Sequence, residues 1–340
     1  MHEKRLIKPF ANLSYLAQVR RLRKYANVVL KKYDLNVSAM DFINHGENAN
    51  FKVVTKDGSK YLLRIHRNNY HTKDAIQEEL SWLKKLSQRK IAVPCPVPSK
   101  NKALIETVSV EDLGLSRNCS LFKWVEGKFI YKSLNSKHMY NIGVLLAHLQ
   151  NNAPKTKHRR YWDADGLLGP NAKFGAIDSL SVASAKQQKL ITAARKKTLS
   201  KLRRYQIKHP NRLGLIHADF HFGNLLATES GIGAIDFDDC GFGFHIYDLV
   251  IPYLSMKNIL ENRKPHQIEA FKKALIDGYK SINSWDSDDD KIFSDLVAAR
   301  NLATLGWLDS RSDNPRLKKH LKSAIKSTIK HIRKSGDILP

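Results

Sequence analysis

The chain has 340 residues, with 58 lysines and arginines against 32 aspartates and glutamates, and 42% of it is apolar. That length exceeds what one hydrophobic core usually serves, so two lobes are expected, and the apolar share excludes a disordered tail. No apolar run reaches the roughly 20 residues of a membrane span, and a net charge of +26 points to polyanionic partners rather than to a particular fold.

The first residues, MHEKRLIKPFANLSYL, lack the apolar core of a secretory signal and read as the approach to an amphipathic helix. Residues 14 to 32 form that helix, with Leu16, Val19, Leu22, Ala26, Val29 and Leu30 near one face. NFKVV and KYLLRIHR follow as two strands joined at TKDGS, where Asp-Gly signals a hairpin. A second helix is expected over Lys73–Leu86 with Thr72 as N-cap. Three prolines in IAVPCPVPS exclude helix there, and ALIETVSVEDLG and NCSLFKWVEG read as further strands. A mixed first domain, 1–125, thus gives way at Glu126-Gly127 to a mostly helical second domain, 126–340. Its helices are NSKHMYNIGVLLAHLQ, Lys186–Lys208, Phe271–Ser281, Asp290–Leu302 and Leu317–Arg333, interrupted by a hairpin of NLLAT and GIGAIDF around ESG. The acidic run Asp286–Asp290 stands at a helix start, where negative charge is favoured.

Cys95, Cys119 and Cys240 form no C-x-x-C pair, so neither a zinc site nor a disulfide framework is suggested, and three reduced thiols fit a cytoplasmic protein. The basic residues gather in Arg20–Lys32, Lys186–Lys208 and Arg316–Lys334, faces able to meet polyanions or simply to be solvated.

The chemistry concentrates in HADFHFGN. Its H-x-D-x-x-x-x-N spacing is that of a kinase catalytic loop, in which Asp219 orients the acceptor hydroxyl and takes its proton while Asn224 holds a metal. The hairpin after Asn224 returns the chain at Asp236, so two hard oxygen donors can meet Mg²⁺ and phosphate. His217, grouped with Asp219 as catalytic, braces the loop; His221 either contacts substrate or packs. Asp238 lies on the Asp236 face if the strand continues, supporting the metal or serving as a loop carboxylate. Asp248 begins an apolar helix and ties it to the loop.

LIHADFHFGNLL, AIDFDDCGFGFHIYDL, FKWVEG and WDADGLLGP resemble the aminoglycoside phosphotransferase/choline kinase-like family, nearest to bacterial stress-response Ser/Thr kinase and homoserine kinase-like members, from about Ala26 to about Arg333. The resemblance implies an α+β, two-lobed protein-kinase-like fold with a five-stranded antiparallel N-lobe sheet and ATP in the cleft. It also implies Asp219 as base and Asn224 and Asp236 as magnesium ligands. Where such kinases carry a phosphate-binding Lys on the third strand, this chain has Arg64, with Lys60 and Arg67 as neighbours. Glu79 shares the buried stripe of Ile76 and Leu83, whereas Glu78 points away, so Glu79 is the expected partner of Arg64. HGENANF occupies the phosphate-loop position with one glycine, leaving Asn48 or Asn50 to reach phosphate or to cap the loop. SLFKWVEG fits the hinge, where backbone near Phe122–Trp124 would read adenine.

The expected function is ATP- and Mg²⁺-dependent transfer of phosphate to a hydroxyl of a small molecule: an amino alcohol, a sugar or an antibiotic. A protein Ser/Thr acceptor is the alternative. A degenerate kinase-like module on nucleic acid or anionic lipid is the third. Polycationic acceptors sit poorly with the +26 charge.

Overall fold

In the computed structural model, which describes residues 10–110, 115–175, 177–261 and 264–334, the chain divides into Met1–Glu126 and Gly127–Pro340. Residues 1–9 of the expected N-terminal amphipathic segment, and residues 111–114 of the expected ALIETVSVEDLG strand, lie outside the described residues.

In the first unit, α1 (Tyr15–Leu30) starts at Ser14, whose hydroxyl accepts from the Ala17 amide. Its buried face of Leu22, Tyr25, Ala26 and Val29 lies on Phe51, Val53, Leu63, Ile65, Cys119 and Leu121 of a sheet. The strands are β1 (Val37–His45), β2 (Ala49–Thr55), β3 (Lys60–Ile65), β4 (Pro96–Val97), β5 (Glu106–Val108) and β6 (Arg117–Lys123). They form one six-stranded antiparallel sheet, ordered β1-β2-β3-β6-β4 with β5 also on β6. This differs from the five strands implied by resemblance, because two short pieces from the proline-rich stretch and its sequel both dock on β6. The β2–β3 turn places Gly58 at φ +83°, where a side chain would strain the backbone. β1 escaped the sequence reading: it is an edge strand whose residues are mostly exposed, so no apolar alternation marks it. Helix α2 (Lys73–Gln88) is capped by Thr72, as its sequence predicts.

The second unit contains α3 (Ser136–Asn151), α4 (Ala164–Leu168), α5 (Ala185–Lys208), α6 (Tyr247–Leu260), α7 (Ile268–Lys280), α8 (Ser287–Asp309) and α9 (Pro315–Lys334). Helices α3 and α7 touch through glycines: a Cβ on Gly143 would fall 2.1 Å from the Leu275 carbonyl oxygen, and one on Gly278 would fall 2.0 Å from that of Tyr140. Two small sheets complete the unit. One has the order β11-β10-β7, with β7 (Lys128–Phe129), β10 (Leu225–Thr228) and β11 (Gly231–Ala234). In the other, β12 (Gly241–Phe244) runs parallel to β8 (Arg160–Trp162) and antiparallel to β9 (Leu213–Ile216). The acidic run is a cap: Asp286 accepts from the Asp288 and Asp289 amides, and Asp289 accepts from the Asp286 amide. Among the described residues, no helix is long and apolar enough to cross a membrane.

Candidate functional site

Strand β9 delivers the chain to a loop knitted by its own backbone. The His221 amide donates to the Asp219 carbonyl at 2.9 Å, and the Asn224 amide donates to the His221 carbonyl at 2.8 Å. Ala218 is held at φ +66°, an uncommon conformation for a residue with a side chain. The reason is beneath it. The amides of His217 and Ala218 both donate to the Asp248 carboxylate, at 2.8 and 2.7 Å. Asp248 is 1% exposed near the start of α6. Burial pushes its carboxyl up to about 7, even against these two donors.

His217 is fully buried, with its ring against Phe220 and Phe237. Its Nε2 lies 3.1 Å from the Ile235 carbonyl, and its Nδ1 accepts from the Asp219 amide at 3.3 Å. Burial brings its pKa down to about 4, so it is neutral at pH 7 and both nitrogens are occupied. Both contacts lie within the loop and its hairpin, the bracing arrangement expected for His217.

Asp219 is half-buried between Arg300 and His221. Arg300 Nη2 donates to one carboxylate oxygen at 3.2 Å, and His221 Nε2 stands 3.4 Å from the other. Burial opposes ionisation, but the His221 hydrogen bond and the Arg300 charge outweigh it and bring Asp219 down to about 2. Burial likewise disfavours the His221 imidazolium, and the Asp219 carboxylate overrides it, raising the His221 pKa. Arg300 also donates to the Tyr247 hydroxyl at 3.1 Å. The sequence reading missed this arginine. Its signal was present: Arg300 follows Leu296 by four residues and Val297 by three, on the buried stripe of α8. Helical spacing puts Arg300 on the buried stripe of α8 as it puts Glu79 on that of α2.

The hairpin closes as its sequence requires. Leu225 pairs with Ala234, and the Ile235 amide donates to the Asn224 carbonyl at 2.9 Å. The Asn224 side-chain nitrogen donates to the Asp219 carbonyl at 3.0 Å, so the amide oxygen, the hard donor a divalent cation needs, faces away from that bond. Asp236 is exposed and sits at φ +63° immediately after Ile235. Strained non-glycine backbone of this kind collects at functional sites. The strand ends at Ala234, so the expectation that Asp238 continues the Asp236 face fails: Asp238 lies in a buried turn, and its carbonyl accepts from Arg159. Among the described residues, no group of three or more His, Cys, Asp or Glu side chains is arranged to hold a metal. A cation here would rest on Asn224 and Asp236, with phosphate oxygens completing its shell.

In the first unit, Arg64 and Glu79 meet. Nη1 donates to Oε1 at 2.7 Å, with the side chains 3% and 0% exposed. Leu63 and Ile65 face α1, so the strand alternation turns Arg64 to the other side, toward α2. Arg64 also lies over the Phe122 ring. Lys60 pairs with Glu126, and Arg67 with Glu47. Asn48 accepts from the Arg67 amide, and Asn50 donates to Asn44, so both are engaged in the hairpin. The expected hinge is held in the sheet through its amides. Phe122 is paired on both sides, and the Lys123 and Trp124 amides donate to the Cys95 and Lys60 carbonyls, because β6 is a central strand. Trp124 lies under Lys52.

Arg64→Met leaves the Glu79 carboxylate buried without this cation. We expect a loss of about 3–5 kcal/mol in denaturant unfolding, with Arg64→Met/Glu79→Leu recovering most of it. A single variant as stable as wild type would show that another cation holds Glu79.

Known proteins resemble this chain in sequence and in fold. Residues 41–285 match the model of the phosphotransferase enzyme family. A Bacillus subtilis (strain 168) protein named amicoumacin kinase is 24% identical over 300 residues, 83% of either chain. A microcompartment-associated aminopropanol kinase matches with a TM-score of 0.75 at 27% identity, over 90% of this chain and 95% of its own. An amicoumacin kinase in complex with AMP-PNP and Ca²⁺ matches with a TM-score of 0.76 at 20% identity, over 93% and 96%. The fold is thus the α+β fold of the protein-kinase-like phosphotransferases.

Proposed function

From the premise that the chain belongs to the phosphotransferase enzyme family, we propose that it transfers the γ-phosphoryl group of ATP, with Mg²⁺, to the hydroxyl of a small molecule. The acceptor oxygen forms the new bond to phosphorus, the bond to the β-phosphate oxygen breaks, and the acceptor proton passes to Asp219. The observation that carries this reading is the Asp219 carboxylate, held ionised on the loop that also presents Asn224, whose carbonyl accepts from the amide of Ile235, the residue before Asp236. A carboxylate with a pKa near 2 is a weak base, so its first duty is to orient the hydroxyl, and it takes the proton only as phosphorus draws charge from the oxygen. Asn224 and Asp236 would hold Mg²⁺, which when bound neutralises phosphate charge. In the first unit, the Arg64 guanidinium is the proposed phosphate contact, kept rigid by Glu79. ATP and a hydroxyl-bearing small molecule are the proposed partners. The relatives named as kinases of amicoumacin and aminopropanol favour a small acceptor over a protein Ser/Thr. An ATP-dependent enzyme with three unbridged thiols is proposed to work in the cytoplasm.

A screen of ATP consumption over amino alcohols, sugars, antibiotics and generic protein substrates, with phosphorus NMR of the product, tests this. We expect turnover on a small alcohol and thermal stabilisation by ATP only when Mg²⁺ is present. Phosphate found solely on protein Ser/Thr, or ATP stabilisation indifferent to metal, would overturn the assignment.

Arg300 has a definite place in this scheme. Arg300→Gln removes a charge that lowers the Asp219 pKa, so that pKa rises. The acid limb of kcat/KM then moves to higher pH, while Arg300→Lys restores most of the profile. An unmoved acid limb would detach Arg300 from the base.

A further inference from the structure

The charge of this chain is not spread evenly. Helix α5 carries nine lysines and arginines, α9 carries eight, and neither contains an acidic residue. Several of the α5 cations are neutralised from outside the helix, among them Arg195 by Asp178, Lys201 by Asp295, Arg203 by Asp165 and Lys208 by Asp288. Lys186 stands in the first turn, just after the Ser184 cap. The fold sets this end of α5 beside the C-terminal half of α9. Between them lies a cavity of about 470 Å³ lined by Lys186, Lys326, Lys330 and Arg333, with no acidic residue in its wall. The Ser184 cap is also in that wall, so the positive end of a 24-residue helix adds to the field.

The cavity continues into a stripe. Lys319, Lys322, Lys326, Lys330 and Arg333 are all exposed and follow one another at three or four residues along α9. At the helical rise this stripe spans about 21 Å, a length over which a nucleic-acid strand presents about six phosphates. A membrane surface is a poorer fit. The apolar face of α9, with Leu321, Ile325, Ile329 and Ile332, is already buried in the unit, so no apolar side remains to enter a bilayer. Neither helix offers an exposed Phe, Tyr or Trp ring, since Tyr205 is 7% exposed, so the strong stacking platforms of single-strand binders are absent from these two helices.

We propose that the α5–α9 cleft and the α9 stripe bind the phosphodiester backbone of nucleic acid, independently of sequence. This site is separate from the phosphotransfer chemistry and does not depend on it.

The test uses the full chain, a fluorescein-labelled 20-nucleotide single-stranded RNA, and salt from 50 to 200 mM. The variant Lys326→Gln/Lys330→Gln/Arg333→Gln keeps good helix formers at exposed positions. A control, Arg20→Gln/Lys24→Gln/Lys31→Gln, removes the same charge from the first unit. We expect the α9 variant to bind about tenfold more weakly and to lower the slope of log Kd against log salt by about 2, with unchanged melting temperature and phosphotransfer. The control should stay within about threefold of wild type. A second variant, Lys186→Gln/Lys189→Gln, should weaken binding in the same direction. Equal losses in the α9 variant and the control would reduce the effect to net charge and overturn the proposal. So would the absence of RNA binding at 50 mM salt, or tighter binding to vesicles of 30% phosphatidylserine in phosphatidylcholine than to RNA.

Discussion

Asp219→Asn is expected to reduce kcat about a thousandfold, within the range general-base groups supply, while leaving ATP and metal binding intact. The substitution is nearly isosteric and keeps the loop, because the loop is held by backbone bonds and by Asp248 rather than by the Asp219 carboxylate. What it removes is charge. The amide oxygen no longer compensates Arg300 at 3.2 Å or His221 at 3.4 Å. It is also too weak a base to receive the acceptor proton. Without the carboxylate, the His221 pKa should fall back, since Asp219 is what raises it against burial. Proton NMR of that imidazole therefore gives a readout independent of turnover. Rates come from a coupled assay on the acceptor found by the screen, and binding from the ATP·Mg²⁺ thermal shift. Turnover within tenfold of wild type would remove Asp219 from the chemistry. The low pKa has a stability consequence as well. A depressed carboxylate stabilises the fold above its ordinary pKa near 4, and that contribution is lost as pH falls toward 2.

Asp236→Ala is expected to cost about a hundredfold or more in kcat at ordinary Mg²⁺, partly recovered at high Mg²⁺, since one metal ligand supplies several kcal/mol of charge stabilisation. The backbone complicates the choice of variant. Asp236 sits at φ +63°, a conformation that Asn tolerates better than Ala. Asp236→Asn therefore preserves the turn and removes only the charge, so it should show the same metal dependence with a smaller change in melting temperature. A Mg²⁺ titration of activity in both variants separates ligation from folding. Half-saturation by Mg²⁺ equal to wild type in both would move the metal away from Asn224 and Asp236.

Much of this molecule was legible from residue pattern alone, where the determinant is local. Thr72 caps α2 and Asp-Gly makes the first hairpin, because these depend on a few consecutive backbone and side-chain groups. Glu79 rather than Glu78 faces Arg64 because helical spacing puts it on the buried stripe, and a buried carboxylate requires a cation. The bond from the Ile235 amide to the Asn224 carbonyl follows from hairpin length.

Local pattern failed where the deciding partner lay far along the chain. β1 has too exposed a face to show its period, and the amides of Lys123 and Trp124 are consumed because β6 became a central strand. His217 is neutral because burial against Phe220 and Phe237 outweighs the Asp219 charge and the Ile235 carbonyl, both of which favour the imidazolium. Arg300, 81 residues beyond Asp219, meets it only once α8 is packed. Residue order thus determined which side chains could do chemistry, through periodicity and turn length. Tertiary packing decided their charge states and partners, because burial and electrostatic coupling act through space, between groups that sequence separation does not relate.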